Sequence, residues 1–265
     1  MKLIKIFVVG LCIVCFYFGT LSLPVRATEL ENSEILSSLN GAELLEKLAF
    51  EFAPNQTLGY RKARDLMYSK IDNYDGVVTG IYTGYSSTVD PNSDNPRQEA
   101  YQQDINAEHI YPQSLGAKGK AKSDLHSLFP ALVWVNSERG NNPFVDINDL
   151  LTRKWFKNNL ELRTIPTDFI DDYSESLTNQ LFEPRENKKG DVARVMFYFY
   201  TVYRFQADEK NTNFFPLQQE TLCRWNFADP VDDLEINRSH AIALAQGNEN
   251  PFILDSTLAK RTYCK

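Results

Sequence analysis

Apolar positions along the chain follow two rhythms, one helical and one extended. From Glu31 to Phe52 they fall three and four apart through ILSSL and AELLEKLAFEF, the spacing of one helical face, interrupted at Asn40-Gly41. A second helix is predicted from Tyr60 to Ile71 through RKARDLMYSK, ended by the turn residues Asp72 to Gly76. Val77 to Tyr85, VVTGIYTGY, is rich in β-branched and aromatic residues and reads as a strand. Ser86 to Arg97 is rich in turn formers and reads as a loop. The next strand is DINAEHIY, stopped by Pro112, which has no N–H to give to a ladder. Beyond a polar loop, the apolar run Leu128 to Pro130 predicts a short strand. Leu132 to Arg139 then predicts a helix, closed by Gly140 where a left-handed cap is wanted. Asp146 to Leu162 reads as a further helix. Gly190 to Phe205 reads as a central core helix, because Val192, Val195, Met196, Phe199, Val202 and Tyr203 recur at helical spacing on a segment apolar nearly all round. Two strands and a helix at the centre of a mostly helical chain predict an α+β domain with a small antiparallel sheet.

The amino terminus changes what the composition means. MKLIK, the apolar run from Ile6 to Phe18 and Val25-Arg26-Ala27 have the order of a secretory signal: a charged start, an apolar stretch too short to span a bilayer comfortably, and a small-residue cleavage site. Leu11 precedes Cys12 and Val14 precedes Cys15, so the small residue of a lipoprotein signal is missing. Cleavage after Ala27 is predicted, leaving residues 28–265 as one exported domain, secreted or periplasmic, monomeric and without a membrane anchor. Losing Lys2, Lys5 and Arg26 leaves 25 basic against 35 acidic residues, a formal charge of −10. A broadly basic nucleic-acid-binding surface is thereby excluded, and contact with a polyanion would need local clusters. Cys12 and Cys15 leave with the signal, so Cys223 and Cys264 remain and predict a disulfide in an exported chain.

Most candidate chemistry lies between Asp104 and Phe144, which holds two of the three histidines. The blocks EHIYPQSLG, SDLHSLFP and VNSERGNNPF, in that order, resemble the endonuclease I family of secreted bacterial nucleases, which carry a ββα-metal (His-Me finger) site. GDVAR, DPVDDLEINR and QGNENPF extend the resemblance over roughly Leu58 to Ile253. The resemblance implies metal-dependent hydrolysis of DNA, with RNA as a second substrate, at little sequence preference and leaving 5′-phosphates. It also places metal ligands at Glu108 and Asn136, for Mg²⁺ with Mn²⁺ or Ca²⁺ as alternatives. Oxygen donors of that kind, few in number, suit Mg²⁺, which keeps several of its waters.

The residues themselves suggest roles. A free imidazole titrates near ~6.5, so His109 is available as a general base at neutral pH. Arg139, three residues after Asn136 on the same helical face, could grip a phosphate bidentately or pair with a carboxylate. Lys118, Lys120 and Lys122 could hold a nucleic-acid backbone without reading bases. Glu108 and His109 are neighbours, and neighbours on a regular strand point to opposite faces; their convergence requires an irregular strand end, which Pro112 makes available. His126 and His240 are read as structural, Asp124 as fixing the loop, Asn141 and Asn142 as bracing it, and Arg194 as one half of a buried ion pair. The basic residues Arg153, Lys154, Lys157 and Arg163 fit a solvated helix face or a phosphate-facing patch equally well. Two rival readings stand beside the nuclease: a zinc hydrolase using His109, His126 and Glu108, and a catalytically inactive nucleic-acid-binding protein.

Overall fold

A computed structural model describes residues 34–264, so the predicted signal and its cleavage site lie outside the described residues. The chain begins with α1 (Gly41–Glu51), then α2 (Tyr60–Leu66), which runs directly into one π-helical turn, Met67–Ile71. A three-stranded meander follows: β1 (Asn73–Tyr74), β2 (Val77–Thr79) and β3 (Ser86–Thr88). The strand expected over Val77 to Tyr85 is thus only three residues long, because the chain turns at Gly80 to Gly84, closed by the Gly84 N–H donating to the Gly80 carbonyl at 3.0 Å. The expected loop from Ser86 to Arg97 instead holds β3 and the start of α3 (Pro96–Gln102). Asn95-Pro96 was the signal for that helix, since proline suits the first helical position.

The central unit is β4 (Ile105–His109), β5 (Leu128–Leu132) and α4 (Val133–Arg139). β4 and β5 are antiparallel, pairing Ile105 with Leu132, Glu108 with Phe129 and His109 with Leu128, and α4 packs on both. Gly140 ends α4 at φ 52° and ψ −123°, a positive-φ conformation that suits glycine but not the left-handed helical cap its sequence position predicts.

Asp146 to Leu162 is not a helix. It contains β6 (Lys154–Lys157) and β7 (Leu160–Leu162), which join β8 (Ser174–Leu177) and β9 (Leu181–Glu183) in an antiparallel sheet ordered β7-β6-β8-β9. Asn158 sits at φ 52° in the tight turn between β6 and β7, and Trp155 and Phe156 are both fully buried. Two adjacent buried aromatics fit a covered strand better than one face of a helix. Three of the four basic residues here are paired, Lys154 with Glu138 at 2.6 Å, Lys157 with Asp172 at 2.6 Å and Arg163 with Glu161 at 3.0 Å, while Arg153 is exposed with no ion pair among the described residues.

Helices complete the domain: α5 (Lys189–Val202), α6 (Arg204–Asn211), α7 (Phe214–Ala228), α8 (Asp233–Gln246), α9 (Pro251–Leu254) and α10 (Leu258–Thr262). α5 is the core helix its pattern predicts, with every residue but Val202 buried and α1, α7 and α9 packed around it. Its aromatics stack outward in three directions: Phe199 on Tyr111 at 4.1 Å, Tyr200 on Phe215 at 4.0 Å and Phe197 on Tyr263 at 5.3 Å. Arg194 forms the expected buried ion pair, through two hydrogen bonds to Glu235.

Cys223 of α7 and Cys264, just past α10, form the predicted disulfide across 41 positions. Closing a loop of that length stabilises the fold mainly by restricting the unfolded chain, by roughly 2–4 kcal/mol. A Cys223→Ala/Cys264→Ala double variant is therefore expected to unfold at lower urea, with a transition slope that is if anything steeper because the unlinked unfolded chain exposes more surface. An unchanged midpoint would mean that the crosslink contributes nothing to stability.

Candidate functional site

A polar cleft of about 610 Å³ opens at the end of β4. Asn106, Glu108, His109, Asn136 and Arg139 line it, with Tyr60 and Arg64 of α2 on the opposite wall. Glu108 and His109 thus reach one cleft although they are sequence neighbours. His109 is the last residue of β4; one further ladder bond, Ile110 N–H to the Ser127 carbonyl at 3.2 Å, holds the chain before Pro112 turns it away.

Glu108 is almost wholly enclosed. The Tyr82 hydroxyl donates to its Oε1 at 2.7 Å, and Arg139 Nη1 lies 3.3 Å from the same oxygen. Burial pushes the carboxyl upward from the usual range, while Arg139 and the Tyr82 hydroxyl pull against that rise. Oε2 has no side-chain partner among the described residues, and the His109 backbone N–H also acts to hold the carboxyl down.

Arg139 is 1% exposed, and its guanidinium is turned inward rather than out toward a phosphate. Nη2 donates to the Ile110 carbonyl at 2.7 Å, Nη1 to the Gly140 carbonyl at 3.0 Å, and the group lies 4.4 Å over the Phe144 ring. Helical spacing correctly put Arg139 beside Asn136. It could not reveal that three backbone carbonyls, those of His109, Ile110 and Gly140, and Glu108 would claim the donors.

His109 is anchored at one nitrogen. Nε2 donates to the Lys122 carbonyl at 3.0 Å, which fixes the neutral tautomer and leaves the Nδ1 lone pair toward the Gln113 amide at 3.2 Å. Burial pushes the imidazole down to about 4, and the nearby Lys122, Arg139 and Arg64 cations act in the same direction. The ring is therefore uncharged at neutral pH. Asn136 donates from Nδ2 to Asn106 Oδ1 at 2.7 Å, so its own oxygen keeps no hydrogen bond among the described residues.

The lysine loop divides. Lys118 lines a separate groove with Gln206 and Glu209, Lys120 is exposed, and only Lys122 approaches the cleft, its Nζ 4.6 Å over the Tyr60 ring. His126 lines a different cavity from His109; its Nε2 donates to the Asn248 carbonyl at 3.0 Å. His109, His126 and Glu108 accordingly do not converge, and among the described residues no group of three or more His, Cys, Asp or Glu is placed to hold a metal. His240 lies 3.4 Å from Glu249 at the surface. Asp124 is fixed by four donors within the fold. Tyr60, Arg64, Tyr82, Asn106 and Gln113 were not singled out from sequence. Of these, Gln113 lies within the EHIYPQSLG block and Asn106 shares a strand face with Glu108, which is a visible signal; Tyr60, Arg64 and Tyr82 reach the cleft from elements whose docking the sequence does not reveal.

The endonuclease I family profile matches residues 41–257. An extracellular ribonuclease of Bacillus subtilis (strain 168) is 33% identical over 187 residues, covering 65% of this chain and 57% of that protein. An extracellular ribonuclease of Bacillus amyloliquefaciens is 34% identical over 164 residues, 57% of this chain and 50% of that one. An extracellular deoxyribonuclease of Aeromonas hydrophila is 28% identical over 134 residues, 51% of this chain and 50% of that one. The chain thus spans about half the length of these curated relatives.

Buried neutral histidines make stability depend on acidity. Burial holds His126 down to about 4, whereas an unfolded histidine titrates near ~6.5. Above ~6.5 both states are neutral and burial carries no protonation penalty; as pH falls toward 4 the unfolded chain takes up a proton that the folded chain refuses, so stability declines. Urea midpoints are expected to drop between pH 7 and 4.5, and to drop less in a His126→Gln variant. Equal drops in the two proteins would remove His126 from this account.

Proposed function

The chain belongs to the endonuclease I family, and on that premise we propose that it is an exported, metal-dependent endonuclease cleaving DNA and RNA with little sequence preference. The observation that carries this reading is a neutral His109 held at Nε2 by a carbonyl, its Nδ1 facing a polar cleft that also contains Glu108 and Asn136. A base, an oxygen-rich metal shell and an open approach for a polyanion are three requirements of phosphodiester hydrolysis. Relatives named as ribonucleases and as a deoxyribonuclease support both substrates.

In this reading the attacking water gives its proton to His109 Nδ1. The Lys122 carbonyl, accepting from Nε2–H, holds the ring in place and stabilises it as it becomes positive. Gln113, on an exposed turn, must leave Nδ1 before the water can bind there. The donor set fits a Mg²⁺-type ion: Glu108 Oε2 and Asn136 Oδ1 are oxygens without side-chain partners among the described residues, and two protein ligands suffice for an ion that keeps its waters. When bound, such an ion supplies positive charge to the phosphate and the leaving oxygen. Arg139 and Tyr82 act as positioning residues, keeping the Glu108 carboxylate fixed in its buried setting. In this reading residues 1–27 are the export signal and the exported protein begins at Thr28.

His109→Ala is expected to lower plasmid nicking by 10²–10⁴-fold, the range for general-base catalysis, while calorimetry still detects Mg²⁺ or Mn²⁺ binding. Glu108→Ala and Asn136→Ala should weaken metal binding and recover part of their activity in excess metal. Loss of metal binding in His109→Ala, with retention in the other two, would reverse the assigned roles. Nicking by the unaltered protein that persists in chelator would defeat metal dependence itself.

A further inference from the structure

With Arg139 committed inside the fold, the cleft needs another source of positive charge to hold a polyanion. We propose that Tyr60 holds Arg64 and Lys122 as a two-cation clamp for the nucleic-acid phosphate backbone beside His109, an inference that rests on the nuclease reading of the cleft.

The ring of Tyr60, the first residue of α2, lies 5.4 Å from the His109 ring. Over that same ring sit the Arg64 guanidinium carbon at 4.2 Å and Lys122 Nζ at 4.6 Å. Residues four apart share a helical face, so Arg64 folds back along α2, its Nε donating to the Tyr60 carbonyl at 3.4 Å. Its two terminal amines and the Lys122 ammonium have no hydrogen bond and no carboxylate partner among the described residues. Many other basic side chains of this acidic protein are neutralised: Lys154, Lys157, Lys189, Arg194 and Arg238 all sit in ion pairs.

Chemistry favours phosphate as the ligand. A guanidinium fork matches two non-bridging phosphate oxygens, an ammonium adds a point charge, and one aromatic ring contacts both without neutralising either. Lys122 then has two separable parts: its carbonyl orients the base and its ammonium holds the substrate.

The test uses full-length mature protein carrying His109→Ala, so that substrate survives, and anisotropy of a labelled single-stranded deoxyoligonucleotide in chelator across a salt series. Arg64→Ala and Lys122→Ala should each flatten the slope of log affinity against log salt by about 0.7, one phosphate's share for a single strand. Lys118→Ala and Lys120→Ala should leave it unchanged. Tyr60→Phe, which keeps the ring, should bind as the parent does, whereas Tyr60→Leu should lose affinity and make a further Arg64→Ala nearly silent. Unchanged slopes for Arg64→Ala and Lys122→Ala, equal losses at Lys118, or no oligonucleotide binding by the parent would each overturn the clamp. Parallel nicking by protein with His109 intact separates the two ideas: binding with the predicted slopes but no metal-stimulated nicking supports the clamp and defeats the nuclease reading.

Discussion

The cleft's geometry depends on a carboxylate that is not in it. Asp124 is fully buried and accepts from the Tyr198 hydroxyl at 2.7 Å, the Tyr203 hydroxyl at 2.8 Å, Gln246 Nε2 at 2.7 Å and the His126 N–H at 3.0 Å. Those donors come from α5, the residue after it, α8 and the loop itself, so one side chain ties the loop to the helical core. Lys122 is two residues upstream, and its carbonyl sets the orientation of His109. A buried network with both oxygens satisfied is rigid, because any displacement leaves a charge or a hydroxyl unpaired in a low dielectric. Arg238 reinforces the far side, donating to the Leu128 carbonyl at 2.6 Å while paired with Asp72.

Asp124 and Glu108 show how equal chemistry is put to unequal use. Both Asp124 oxygens are saturated. On Glu108 side chains engage only Oε1, through Tyr82 and Arg139, and Oε2 is left over in a wall of the cleft. Removing a carboxylate from water is costly unless its lone pairs are occupied, so a half-satisfied one at a cleft wall keeps the capacity to accept a further partner. Saturation, which neither burial nor sequence position reports, separates the structural acid from the one exposed to chemistry.

Much of the central unit was legible because its signals are local. Pro112 ends β4, Gly140 ends α4, and the apolar period of α5 marks the core. The failures were at places decided by tertiary contacts. Asp146 to Leu162 reads as a helix in isolation, yet Trp155 and Phe156 are buried together in a four-stranded sheet whose other half, β8 and β9, lies later in the chain. Arg139 sits where its spacing predicts but points inward, since two of the carbonyls that capture it, those of His109 and Ile110, belong to the end of β4 some thirty residues earlier in the chain. Tyr60 and Arg64 were read only as part of a helix, because nothing in their own segment announces that α2 docks beside His109.

The π turn at Met67–Ile71 sets how that docking is phased. Met67, Tyr68 and Ile71 are anchored in the second apolar cluster with Ile105, Leu125 and Leu128, while Tyr60 and Arg64 stand on the preceding turns. A π turn accommodates one residue more than an α turn. Deleting a single residue there would rotate the amino-terminal part of the helix by about 100° against its own anchor, swinging the Tyr60 ring out of the cleft with no change to its neighbours in sequence. Across related chains this segment should thus tolerate exchange of one side chain for another far better than any change in the number of residues.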